Sequence, residues 1–193
     1  MTIIGISGKA RAGKDTLADF ISEESKKIGT ITNKSSFAYL LKKMAMESFN
    51  LSHRQVYGDL KEVYDERWEK TPREILQLFG EGFRNIHEDY WVVSLLNVLN
   101  NFPNHNHVVA DVRYFNEYFR IKEEGGYVIR IERDASKRDK ITNPNHISET
   151  ALDDIEFDYV IDNNGSLEDL RQKAIEIVNT IIVPTLNLTK EAL

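Results

Sequence analysis

The chain contains no cysteine, so disulfide staples, thiolate metal ligands and thiolate nucleophiles are all excluded. It lacks any apolar run long enough to cross a membrane, and no signal-like segment precedes the first apolar stretch. A cytoplasmic location with no membrane partner is the expectation. A basic excess is also missing: the net charge of −6 argues against a broad nucleic-acid or anionic-lipid surface, though not against a local basic pocket. The five histidines show no metal-ligand spacing, and no Ser-His-Asp arrangement is readable. There is no internal repeat, low-complexity tract or interdomain linker. The 193 residues therefore read as one ordinary globular domain, large enough to bury a core on both sides of a sheet.

What the chain does have is a loop. Ile3-Ile4-Gly5-Ile6 leads into Gly8-Lys9-Ala10-Arg11-Ala12-Gly13-Lys14-Asp15-Thr16, and a helix-period segment leads out. In that context G-x-x-x-x-G-K reads as a phosphate-binding loop. Glycines let the backbone curl so that successive N–H groups converge on phosphate oxygens, and the helix N-terminus adds partial positive charge. Lys14 supplies a mobile point charge for the β- and γ-phosphates of ATP. Asp15 stands where a Ser or Thr hydroxyl ordinarily reaches Mg²⁺. A strand-to-helix turn that binds nothing is the plainer reading of the same pattern.

Hydrophobic periodicity predicts helices after the loop as far as Gly29, over Ala38–Phe49, over His53–Glu69 with Gly58 as a weak point, and over Asp89 to about Phe102. Pro103–Asn106 reads as a turn. Thr71-Pro72-Arg73-Glu74 is a helix start, with an N-cap, a proline at N1 and a glutamate at N3, followed by an apolar stripe of Ile75, Phe79, Phe83 and Ile86. Strands are predicted at Ile3–Ile6, about Ile31–Phe37, Val108–Ala110, Tyr127–Ile131 and Phe157–Ile161, and Ser166 caps a last helix. Five short apolar strands separated by helices imply an α/β fold. Its parallel sheet is covered on both faces, with all strand C-termini on one edge, where ligands bind.

Further candidates gather at those strand ends. Asp111 closes an apolar strand, the arrangement that holds a Mg²⁺ water shell; as a turn former it needs no such role. Arg113 could fork onto a phosphate or make a surface ion pair. Arg73, Gln77, Gly80 and Arg84 share one helix face, suited to a phosphate and a base edge, or else simply solvated. Gly80 and Gly82 weaken that helix by about 1 kcal/mol each and call for a reason. Arg133, Lys137, Arg138 and Lys140 lie on a charged stretch between strands four and five. It reads as a lid that closes over transferring phosphate or as a plain surface loop, with Arg133 and Arg138 favoured as the functional cations. His146, Ser148 and Glu149 follow, either as site residues or as a helix start capped by Ser148. Trp68 and Trp91 sit at helical spacing and read as core.

These residues together resemble the bacteriophage-type deoxynucleoside monophosphate kinases. The matching stretches are the loop, Ser36-Phe37-Ala38 with Lys42, and Thr71-Pro72-Arg73 through Gln77 and Gly80 to Arg84 and Trp91. They continue with Asp111-Val112-Arg113 through Glu117, Gly125-Gly126, His146 through Glu149, and Asn163-Asn164-Gly165-Ser166, nearly the whole chain. Asp then Thr after the loop lysine is typical of that group. The resemblance implies a P-loop NTPase fold of the nucleoside monophosphate kinase kind, with a helical insertion at about 50–100 and a lid at about 132–150. It implies ATP and Mg²⁺ as cofactors and dNMPs as acceptors, in a host cytoplasm if the gene is a phage's, with a homodimer left open. It places Asn163 and Asn164 near adenine, Asp15, Thr16 and Asp111 near the metal, and Phe37, Lys42, Arg73, Gln77, Gly80, Arg84, Trp91, Asp111, Arg113 and Glu149 around the acceptor. The catalytic cations are Lys14, Arg113, Arg133 and Arg138. The alternatives are a kinase of another small metabolite, such as dephospho-coenzyme A, and a non-catalytic nucleotide-binding protein.

Overall fold

The computed structural model describes residues 1–137 and 147–185. Its strands are β1 (Ile3–Ser7), β2 (Thr32–Ser35), β3 (Asn106–Val112), β4 (Tyr127–Glu132) and β5 (Tyr159–Asp162). They form one sheet in the order β2-β3-β1-β4-β5, and every pairing is parallel. The helices are α1 (Lys14–Lys27), α2 (Ala38–Ser48), α3 (His53–Tyr57), α4 (Pro72–Ile86), α5 (Tyr90–Leu99), α6 (Phe115–Glu123), α7 (Ile147–Thr150) and α8 (Leu167–Ile177). Among the described residues no helix is long and apolar enough to cross a membrane.

Period-two alternation sorts the strand residues between the two faces. Ile4 and Ile6, Val108 and Ala110, and Ile129 and Ile131 pack against Leu17, Ala18 and Ile21 of α1 and Leu170, Ala174 and Ile177 of α8. On the opposite face α6 approaches closely at Gly5, where a Cβ would lie 2.8 Å from Ile121 Cδ1 and from Val112 Cγ2. Each fully buried Ile or Leu contributes about 1.5–3 kcal/mol. The two-faced parallel sheet expected from the strand pattern is the one observed.

The chain divides into two compact units, Met1–Ser36 with the chain from Leu99 onward, and Phe37–Val98. The first carries the sheet. The second is helical, and its α4 begins as its sequence dictates: the Thr71 side chain accepts the Glu74 N–H, Glu74 accepts the Thr71 N–H at 2.7 Å, and Pro72 takes the first turn. Its small core of Leu51, Val56 and Ile75 is extended by edge-to-face contacts of Phe49 with Trp68 and Phe79, and of Phe79 with Phe83. Trp91 is buried and donates its indole N–H to the Gly80 carbonyl at 3.1 Å.

Several expectations need correction. The helix expected over His53–Glu69 stops at Tyr57, and Gly58 follows in extended conformation. Beyond it the buried Asp65 accepts hydrogen bonds from Gln55 and Arg67, both at 2.9 Å, and pairs through its backbone with Lys70. The same carboxylate accepts the Arg67 N–H at 3.1 Å and the Asp65 N–H donates to Lys70 O at 2.9 Å, so backbone groups here are satisfied locally in competition with the helix. Val63 and Trp68 are left exposed. Ile86, expected in the apolar stripe of α4, is 76% exposed because the helix ends there and His87 turns extended. Asn106 opens β3 instead of belonging to a turn: its N–H donates to Ile31 O, and its side chain accepts from Thr2 N and donates to Thr30 Oγ1. Ser148 lies inside α7.

Candidate functional site

The loop between β1 and α1 is shaped by two left-handed residues, Arg11 (φ 63°) and Gly13 (φ 105°). Gly13 has no room for a side chain, since a Cβ would sit 2.4 Å from Asn163 Nδ2. That amide, buried at the end of β5, donates to Ala12 O at 2.8 Å and props the loop from below. Asn164 works on a different segment: its Oδ1 accepts the Asp134 N–H and its carbonyl accepts Lys137 Nζ, both at 2.9 Å.

Lys14 is only 7% exposed, and its Nζ donates to Gly8 O at 2.6 Å and Lys9 O at 2.8 Å. Burial, and next the positive charge of Arg113, pull its pKa down to about 8; Glu149, Asp15 and Asp111 oppose that in part. Arg113 leaves the end of β3 with its backbone N–H held by the buried Glu117 carboxylate at 2.7 Å, the same carboxylate that accepts the Tyr114 N–H at the start of α6. Its guanidinium donates to Ser148 O at 3.1 Å and pairs with Glu149. The other Glu149 oxygen accepts the Ala10 N–H at 2.7 Å. Burial raises the Glu149 pKa, but the Arg113 charge and the Ala10 N–H outweigh it and hold the carboxyl below its ordinary value.

The metal candidates divide. Asp111 is half-buried in β3 and accepts Ser36 Oγ at 2.8 Å; Thr16 is half-buried in the first turn of α1. Both are hard oxygen donors, and Mg²⁺, which keeps several waters, needs only one or two of these from a protein. The Asp15 carboxylate is 81% exposed and pairs at 3.1 Å with Lys34, which also holds Asp19 at 2.9 Å. Among the described residues no group of three or more His, Cys, Asp or Glu converges as a ready-made metal cage.

Lys9, Lys14, Arg113 and Glu149 are thus brought together, with Asp111 close enough to act on Lys14 through space. Arg133 is exposed just beyond β4. Arg138, Lys140 and His146 lie outside the described residues. In the second unit, Phe37 is buried immediately before α2, and Lys42 Nζ stands 4.7 Å above the Tyr57 ring. Arg73 is ion-paired with Glu62, Gln77 and Arg84 are half-buried on α4, and Gly80 is buried. Sequence reasoning missed Arg130 and Asp153. Asp153 accepts from Lys9 at 2.6 Å and from the buried Arg130 at 2.9 Å. The signal was present: an arginine inside the buried run Tyr127–Ile131 requires a partner.

A model of the family described as deoxynucleotide monophosphate kinase matches residues 32–174. A protein of Acanthamoeba polyphaga mimivirus, named "Putative deoxynucleotide monophosphate kinase", is 33% identical over 196 residues, spanning 93% of this chain and 97% of that protein. The chain belongs to the deoxynucleotide monophosphate kinase family. As a member of that family it is a nucleotide kinase, a phosphotransferase on a nucleotide-binding P-loop fold. The fold likeness extends to the shikimate kinase of Acinetobacter baumannii in complex with shikimate, with a TM-score of 0.50, 15% identity and coverage of 94% of this chain and 96% of that one. At that identity the likeness concerns the fold alone.

Proposed function

We propose that this deoxynucleotide monophosphate kinase family member transfers the γ-phosphoryl group of ATP to a deoxynucleoside 5′-monophosphate. A phosphate oxygen of the acceptor attacks the γ-phosphorus in line, the bond to the β–γ bridging oxygen breaks, and dNDP and ADP leave. The observation that carries this reading is Lys14, buried in the loop beside Arg113 at the strand-end edge of the parallel sheet. Two cations there are positioned to meet charge that spreads over the equatorial oxygens of the transferring group. The acceptor phosphate is already anionic, so no strong general base is required.

Lys14 and the loop amides hold the ATP phosphates, and Arg113 stabilises the group in transfer, with Arg133 as a further cation. Arg73 and Arg84 take the acceptor phosphate, with Gln77 and Gly80 by its base. Asn163 contributes by propping the loop, an assignment supported by its bond to Ala12 O. Mg²⁺, when bound, neutralises phosphate charge, and Thr16 and Asp111 are the side chains that would hold it, in part through water. A coupled ADP-release assay across the four dNMPs tests the reading. Turnover is expected with at least one. No turnover with any, by folded protein that binds ATP, would sink it and turn attention to other small acceptors.

A pH effect follows from Lys14. With its pKa near 8 before nucleotide binds, the ammonium is partly deprotonated at pH 8. A polyphosphate anion favours the charged form, so ATP binding should take up a proton there, and ATP affinity should fall as pH rises from 7 to 9. Calorimetry in buffers of different ionisation enthalpy measures the uptake. The same uptake in Lys14→Met would assign it to another group.

A further inference from the structure

The mouth of the phosphate loop already holds an anion from its own chain. One oxygen of the Glu149 carboxylate accepts the Ala10 N–H at 2.7 Å, and the other is paired with Arg113. The backbone joins in: Lys9 Nζ donates to Glu149 O at 2.6 Å, and Arg113 donates to Ser148 O at 3.1 Å. Four residues on, Asp153 takes the same lysine at 2.6 Å. The stretch from Ser148 to Asp153 is therefore strapped across the loop, and the Glu149 side chain is only 8% exposed. A carboxylate that spans a backbone N–H and a guanidinium uses the kinds of donor that two oxygens of a phosphate group also use.

Resting on the kinase reading above, we propose that Glu149 is a positioning residue that acts as a resident phosphate mimic. It holds Arg113 and the Ala10 end of the loop in place until a polyphosphate displaces it and takes over both donors. The electrostatics give the reason for such a device. Arg113 and Lys14 act on one another as like charges in a partly desolvated setting, and an uncompensated buried cation is costly. Glu149 compensates both. The consequence is competition, since an incoming polyphosphate binds only as tightly as the strap allows.

Two substitutions test this. Glu149→Gln keeps the shape and removes the charge. Glu149→Asp keeps the charge but is one methylene too short to span Ala10 and Arg113. After thermal unfolding confirms that each is folded, inorganic tripolyphosphate is titrated calorimetrically into wild type and both variants. The expected result is binding roughly tenfold tighter in both, the loss of one charge-assisted contact to the competing anion. Unchanged or weaker binding overturns the proposal. So does tighter binding by Glu149→Gln with Glu149→Asp at the wild-type value, because then charge and not contact matters. A measurement free of variants uses amide hydrogen exchange on wild type. Tripolyphosphate should speed exchange between Ser148 and Asp153, and unchanged or slower exchange overturns the strap. Wild type that binds tripolyphosphate with these responses but turns over no dNMP would refute the dNMP reading while leaving the displaced carboxylate standing; wild type that binds no tripolyphosphate refutes the strap.

Discussion

Lys14→Met is expected to lower phosphoryl transfer by at least roughly 10²–10³-fold while the chain stays folded. Loss of one preorganised donor aimed at developing charge costs about that much in other water-excluded sites. Lys14 is well placed to be such a donor: it is 7% exposed, and Gly8 O and Lys9 O fix its ammonium at 2.6 and 2.8 Å. Methionine keeps the unbranched apolar stem. Folding should survive because the ammonium is a burden as well as a partner. Its pKa near 8 lies below the ordinary 10.5, so the unfolded chain binds more protons between those values, and this group's contribution to stability rises with pH across that window. Below pH 8 the full desolvation cost is present, and methionine does not carry it. The two lost hydrogen bonds offset that relief, so the melting temperature should move by only a few degrees. Coupled ADP release gives the rate and calorimetry gives ATP affinity. Retention of activity within tenfold of wild type would remove the phosphate loop from the mechanism.

Local signals in the sequence proved legible, and non-local ones did not. The loop, the buried run before it, and the capped start of α4 at Thr71 all declare themselves within a few residues, and the structure has each in place. The parallel sheet, with its strand ends on one edge, followed from strands alternating with helices. The order β2-β3-β1-β4-β5 did not, because nothing local says which strands become neighbours. The false helix over His53–Glu69 had convincing apolar spacing. What defeats it is the hydrogen bonding around the buried Asp65, with partners on both sides in sequence.

The candidate site divides in the same way. Lys14 was readable from its motif, but beyond its own burial, the charges that act on it through space include Arg113 and Glu149, which lie far along the chain. The Arg130–Asp153–Lys9 chain likewise joins residues that only the fold makes neighbours. Asp15, conspicuous in the motif, gains a local account: its carboxylate faces outward to Lys34 of β2. At 81% exposure that pair contributes about 0–1 kcal/mol. The aspartate is tolerated at the start of α1, where a negative charge also suits the helix dipole.

Gly8→Ala is expected to destabilise the protein by about 3 kcal/mol, which for a chain of this size lowers the melting temperature by roughly 6–12 °C. The reason is a backbone collision. Gly8 has φ of 154°, and a Cβ there would lie 2.5 Å from the Ile131 carbonyl oxygen and 2.9 Å from Ile131 Cγ2. That oxygen belongs to a central strand paired on one side to β1 and on the other to β5, so it cannot retreat without disturbing the sheet. The alternative is for the loop to lift, and Gly8 O is one of the two carbonyls that hold Lys14. Stability and ATP affinity should therefore fall together. Gly82 supplies the contrast on α4. No atom lies within 4 Å of its notional Cβ, so Gly82→Ala should stabilise the helix by about 1 kcal/mol. Paired thermal scans check both, and opposite shifts are expected from one chemical change, the addition of a methyl group. Equal shifts would mean that the close approach at Gly8 is not what sets the geometry of the loop.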